Sequence, residues 1–138
     1  MESLKIFLDT NIVLDFLTGR MKDGKAAKLV QVGKSPCYQM CVSLLTAANV
    51  LYVSRKLGAK FTPKNLSDLF SILPQNAAQW ENASQYKMED FEDALQVACA
   101  LDSGCACIIS RGRHYLDAPL PVFDPADFLD TVVKAFKD

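Results

Sequence analysis

Leu4-Lys5-Ile6-Phe7-Leu8-Asp9-Thr10-Asn11-Ile12-Val13-Leu14-Asp15 changes its periodicity within a few residues. Four of the five residues before Asp9 are apolar or strand-forming, whereas Ile12, Val13, Phe16 and Leu17 recur at helical spacing. A buried strand therefore gives way to a helix at Asp9. In an open parallel α/β sheet the carboxyl end of a strand opens onto the crevice where ligands bind, and a carboxylate there can face a ligand. Aspartate is equally a favoured helix N-cap. Both roles stay open on this stretch alone.

Outward from it, strands and helices alternate. The first helix is predicted to end near Gly19, and a second spans Lys22 to Gly33 before Ser35-Pro36 breaks it. Residues 37 to 42 read as a strand, and Ser43 opens a helix that stops at Gly58. Thr62-Pro63 is an N-cap followed by a first-turn proline, starting a helix through Leu66, Leu69, Phe70 and Leu73 that Pro74 limits. Asn76 to Tyr86 shows helical spacing only around Trp80 and Ala83. Phe91, Ala94, Leu95, Ala98 and Leu101 mark a clear helix ending at Gly104, residues 105 to 109 a strand covered on both faces, and residues 120 to 123 a last strand. Pro125 starts a closing helix with Phe128, Leu129, Val132, Val133 and Phe136. The expected architecture is one domain over residues 1–138, a three-layer α/β/α sandwich around a mainly parallel sheet of four to five strands.

Half of the residues are hydrophobic and 22% are charged, as in a packed globular chain. Fifteen basic residues against sixteen acidic ones give a formal charge of -1, so no global field draws the chain to nucleic acid and any such binding needs a local patch. No window approaches a membrane span and no signal peptide precedes the first strand, so the expected location is the cytoplasm, with no membrane partner. The five cysteines lie in apolar surroundings without paired metal-ligand spacing and read as buried small hydrophobes in a reducing compartment. His114 is the single histidine, which excludes a two-histidine nuclease or a histidine-based metal site.

Chemistry concentrates in acids. Asp90 and Asp93 are three residues apart and project from one face of their helix, while Glu92 is expected to point elsewhere. Like charges so placed repel by about 0.2 to 0.5 kcal/mol on an isolated helix, and Asp9 brought alongside would add to this. A divalent cation reverses the sign; Mg2+ in particular prefers hard oxygen ligands and keeps several waters. The plainer account is that Asp90 caps its helix and its neighbours answer the macrodipole. Arg111 and Arg113 follow the strand ending at Ile109, on the sheet edge expected for Asp9, and arginine forks match phosphate oxygens. A solvated loop, or pairing with the acids themselves, is the competing account. Asp15 is expected at the site rim or paired with a basic neighbour.

Phe7-Leu8-Asp9-Thr10-Asn11-Ile12-Val13-Leu14-Asp15 resembles the opening motif of PIN domains. Asp90-Phe91-Glu92-Asp93-Ala94-Leu95-Gln96 resembles their later acidic motif, and Ile108-Ile109-Ser110-Arg111 the strand that follows. With the Ser43, Thr46 helix between them and Pro121-Val122 near the end, the similarity runs in order along nearly the whole chain. It implies a metal-dependent nuclease that cuts RNA, VapC-like, using Mg2+ or Mn2+, with an antitoxin protein as partner. Asp9, Asp93 and Asp90 are then the catalytic, metal-site carboxylates, and Asn11, Ser43, Thr46 and Asn49 support them.

This chain departs from the pattern twice. Asn49 stands where many members carry an acid, as in a divergent subgroup, and Gly112-Arg113-His114-Tyr115 lacks the usual fourth acid. The alternative these departures favour is a degenerate PIN domain that binds RNA or a protein without cleavage. A phosphatase with Asp9 as nucleophile is disfavoured because Asn11, not a second acid, lies two places on. A homodimer through apolar faces near Val50–Leu57 or Leu66–Leu73 is also expected, from the apolar fraction and family habit.

Overall fold

The computed structural model describes residues 3–19, 24–111, 115 and 118–133. In chain order these form β1 (Leu4–Leu8), α1 (Thr10–Thr18), α2 (Lys25–Val32), β2 (Tyr38–Ser43), α3 (Leu44–Lys56), α4 (Pro63–Leu69) and β3 (Ser71–Leu73). Then follow α5 (Ala77–Ala83), α6 (Phe91–Asp102), β4 (Cys107–Ile109), β5 (Val122–Phe123) and α7 (Pro125–Asp127), which widens into a π-helical segment over Phe128–Val133. Among the described residues, no helix is long and apolar enough to cross a membrane.

The five strands make one sheet in the order β3-β2-β1-β4-β5, with every neighbouring pair parallel. β1 lies at the centre, where the order reverses, so the carboxyl ends of β1 and β4 flank a topological switch point. Alternation along the strands builds two cores. Ile6, Leu8, Met40, Val42, Cys107 and Ile109 pack on one face against Ile12 and Val13 of α1, Leu29 of α2, Val50 of α3, Leu66 of α4 and Phe128. Phe7, Cys41, Leu73 and Ile108 pack on the other, against Val97, Cys99 and Ala100 of α6 and against Tyr115. α5 is joined to α6 through Ala83, Ala94 and Ala98.

Local chemistry places the element ends. Thr62 and Asn65 form a reciprocal capping box with Pro63 in the first turn of α4. Past α6, Gly104 adopts φ +74°, and the N–H groups of Gly104 and Cys105 return to the carbonyls of Leu101 and Ala100 at 3.1 and 2.9 Å. This left-handed close delays β4, so the strand expected from residue 105 begins at Cys107. Four of the five cysteines are buried and all are free thiols.

One expected helix is two elements. α4 ends at Leu69, Phe70 is extended (φ -135°, ψ 152°), and Ser71–Leu73 pairs with β2 in the register Cys41↔Ser71 to Ser43↔Leu73. Pro74 biases Leu73 away from helical backbone, and the sheet edge takes up the freed polar groups of the chain. Val50, Leu66, Phe70 and Leu73, expected on surface faces, are core residues. Of the expected face at Val50–Leu57, Tyr52 of α3 and Leu57 at its C-cap are exposed, and among the described residues they are joined by Leu44 of α3, Trp80 of α5 and, to a lesser degree, Phe91 and Leu101 of α6. Of the closing helix, Phe136 lies outside the described residues.

Candidate functional site

Asp9 ends β1 and caps α1 at once. Its backbone N–H donates to the Ile109 carbonyl at 3.0 Å, stitching β1 to β4, and its Oδ1 accepts the Thr10 N–H at 2.9 Å. The carboxylate is nearly buried and takes two further bonds: Tyr115 Oη donates to Oδ1 at 3.0 Å and Ser110 Oγ to Oδ2 at 3.1 Å. Capping and facing the crevice are thus not alternatives, because one oxygen caps while the group as a whole sits at the switch point.

Asp9, Thr10, Asn11, Asp90, Glu92, Asp93 and Gln96 line a cleft of about 230 Å3. α6 delivers the acids: Asp90 is its N-cap, with Oδ1 accepting the Asp93 N–H at 3.2 Å. That bond turns Asp90 toward its own helix, at the exposed rim. Among the described residues, no three acidic, histidine or cysteine groups stand together as a preformed metal cluster. The expected meeting of Asp9, Asp90 and Asp93 is therefore in one cleft and not in one tight coordination sphere. Glu92, expected to point elsewhere, lines the cleft as well, because the first turn of α6 opens along its rim.

Behind the cleft, hydroxyls and an amide tie three helices together. Thr10 Oγ1 and Thr46 Oγ1 are 2.8 Å apart, and Gln96 Nε2 donates to Thr46 Oγ1 at 2.7 Å. Thr46 is placed by Ser43, the buried N-cap of α3, whose Oγ accepts the Thr46 N–H at 3.0 Å. Asn49, one turn further along α3, is half-buried and does not line the cleft. Arg111 is drawn to α1: its Nε lies 2.6 Å from Asp15 Oδ2 and its Nη2 donates to Asp15 Oδ1 at 3.3 Å, a two-point pair with a buried carboxylate. Arg113 lies outside the described residues.

Tyr115, Ser110 and Gln96 are additions that the linear motifs do not assign to the site. Burial, with the neighbouring charges of Asp9 and Asp93, pushes the Tyr115 phenol well above its ordinary range, so it remains a neutral donor.

The donor set fits a hard divalent cation. Every polar side chain lining the cleft offers oxygen, and neither sulfur nor imidazole lines it among the described residues. On Asp9, Oδ1 already accepts two hydrogen bonds, whereas Oδ2 accepts one and keeps a lone pair. Asp9 could therefore hold a cation through one oxygen, Oδ2, in a cleft that Asp93 also lines.

Known proteins share this fold. The toxin–antitoxin complex from Klebsiella pneumoniae superposes with a TM-score of 0.68 at 23% identity, covering 87% of this chain and 97% of that chain. FitAcB from Neisseria gonorrhoeae gives 0.63 at 21%, covering 88% and 98%. VapBC2 from Rickettsia felis, bound to a DNA fragment from their promoter, gives 0.65 at 14%, also covering 88% and 98%. These likenesses establish the fold. Ribonuclease VapC1 of Aquifex aeolicus (strain VF5) is 24% identical over 139 residues, spanning 94% of this chain and 96% of that protein. A family model described as PIN domain matches residues 5–114, well over half of the sequence, and on that match the chain belongs to the PIN domain family.

Proposed function

We propose that the chain is a VapC-like ribonuclease that hydrolyses RNA phosphodiester bonds with the help of Mg2+ or Mn2+. The observation that carries this reading is the joint lining of one acidic cleft, at the β1/β4 switch point, by Asp9 and Asp93. Asp9 Oδ2 and the Asp93 carboxylate would hold the cation, with Asp90 and Glu92 reaching it through water from the rim. When bound, such an ion supplies an activated water and stabilises charge on the leaving oxygen. The protein's part is orientation: Thr10 and Ser110 hold the two oxygens of the Asp9 carboxylate, and the Thr46–Gln96 bond holds α3 and α6 at constant spacing behind it. Arg111 keeps Nη1 free of its pair with Asp15, and with Arg113 it is the proposed contact for substrate phosphate.

The likeness to ribonuclease VapC1 supports RNA as substrate, and the likeness to the Klebsiella pneumoniae toxin–antitoxin complex supports an antitoxin protein as partner. The proposed homodimer uses the exposed apolar groove whose lining includes Leu44, Leu45, Ala48, Trp80 and Leu95. Calorimetric titration with Mn2+ tests the central claim: the native chain binds, Asp9→Asn and Asp93→Asn bind far more weakly, and RNA cleavage falls in parallel. RNA retention without metal binding or cleavage would return the non-cutting reading.

A further inference from the structure

Tyr115 stands where the chain lacks a fourth acid, and its geometry gives it a task of its own. The ring is buried in the core beside Phe7 and Ile108, while the hydroxyl donates to Asp9 Oδ1 at 3.0 Å and also faces Asp93. Two carboxylates brought to one cleft repel unless a positive charge or a proton donor lies between them. From this placement we infer that Tyr115 is a positioning residue, a neutral clasp between Asp9 and Asp93 that is needed most while the cleft holds no cation. The inference rests on the reading of the cleft as a cation site, and it has a sign. A bound cation relieves the same repulsion, so the clasp stabilises the loaded protein less than the empty one. By reciprocity of linked equilibria, the hydroxyl must then weaken cation binding. Tyr115 is accordingly a residue that lowers metal affinity while keeping the empty site folded.

Tyr115→Phe keeps the ring in its pocket and removes only the hydroxyl. In EDTA, this variant should unfold about 3–6 °C below the native chain. In an Asp93→Asn background, where one of the two charges is gone, the same substitution should cost no more than half of that. Titrated with Mn2+, Tyr115→Phe should bind on the order of three- to tenfold more tightly than the native chain. Equal losses of Tm in both backgrounds with unchanged Mn2+ affinity would reduce Tyr115 to packing and overturn the inference. Weaker Mn2+ binding would overturn it too, by making the hydroxyl an organiser of the loaded site. If the native chain binds no Mn2+ at millimolar concentration but the coupling in EDTA persists, the cation reading fails and the clasp between carboxylates stands.

Discussion

Asp9 accepts three hydrogen bonds from three different parts of the chain, and their removal should not be equivalent. Ser110 donates to Oδ2, the oxygen left with a lone pair for a ligand. Ser110→Ala should therefore lower Mn2+ affinity by roughly 10- to 100-fold, the usual effect of losing a bond that orients a ligand, as read by calorimetric titration. The cysteines make a different prediction. Burial pushes the thiols of Cys99 and Cys107 from the ordinary 9.0 up to about 12, in Cys99 with help from Asp102 and Cys41. Between these limits the folded chain retains protons that the unfolded chain has shed. Stability should then fall with rising pH above about 9, by at most ~1.4 kcal/mol per pH unit for each thiol. Denaturant titrations at pH 8, 9 and 10 check the slope, and a thiol reagent at pH 8 should reach Cys99 and Cys107 only on unfolding. That Asp9, Asp90 and Asp93 line one cleft was legible in the sequence because carboxylates at a strand end and in a helix's first turn are chemically conspicuous. Tyr115 was not, since a tyrosine reads as core until its hydroxyl is seen to meet a group 106 positions away.

At the scale of elements, α3 is the support of the site. Its N-cap Ser43 is fully buried and holds the first turn through Thr46, the residue that bonds both Thr10 and Gln96. Ser43→Ala should cost about 1–2 kcal/mol, measured by denaturant unfolding, and should loosen the spacing of α1 and α6. Most of the strand–helix alternation was readable because caps and glycine stops are local chemistry. β3 was not, because Leu66, Leu69, Phe70 and Leu73 keep helical spacing across a break, and a three-residue strand is too short to show a period of its own. Its existence depends on the edge of β2 as a partner, which periodicity along the chain does not contain. Glu92 was misplaced for a related reason: the rim of the cleft follows the N-terminal turn of α6 and not a single stripe along it.

At the scale of the whole molecule, large apolar side chains remain outside the core. Leu44, Tyr52, Leu57 and Trp80 are each more than half exposed, and Leu44 and Trp80 share the groove proposed for self-association. Light scattering should give the mass of a dimer, and Leu44→Ser with Trp80→Ser should reduce it to a monomer without altering helix content; a native monomer at high concentration would dispose of the interface. The sheet order carries a consequence of another kind. Because β1 is central and β4 closes on it late, Asp9 is synthesised 101 residues before Ser110 and 106 before Tyr115. At translation speeds of roughly 5–20 residues per second, these two of its three hydrogen-bond partners arrive about five to twenty seconds after it, whereas Thr10 follows at once. A nascent chain stalled short of Ser110 carries Asp9 capped by Thr10 alone, so the Asp9 carboxylate is held on both oxygens only once β4 and Tyr115 have been made.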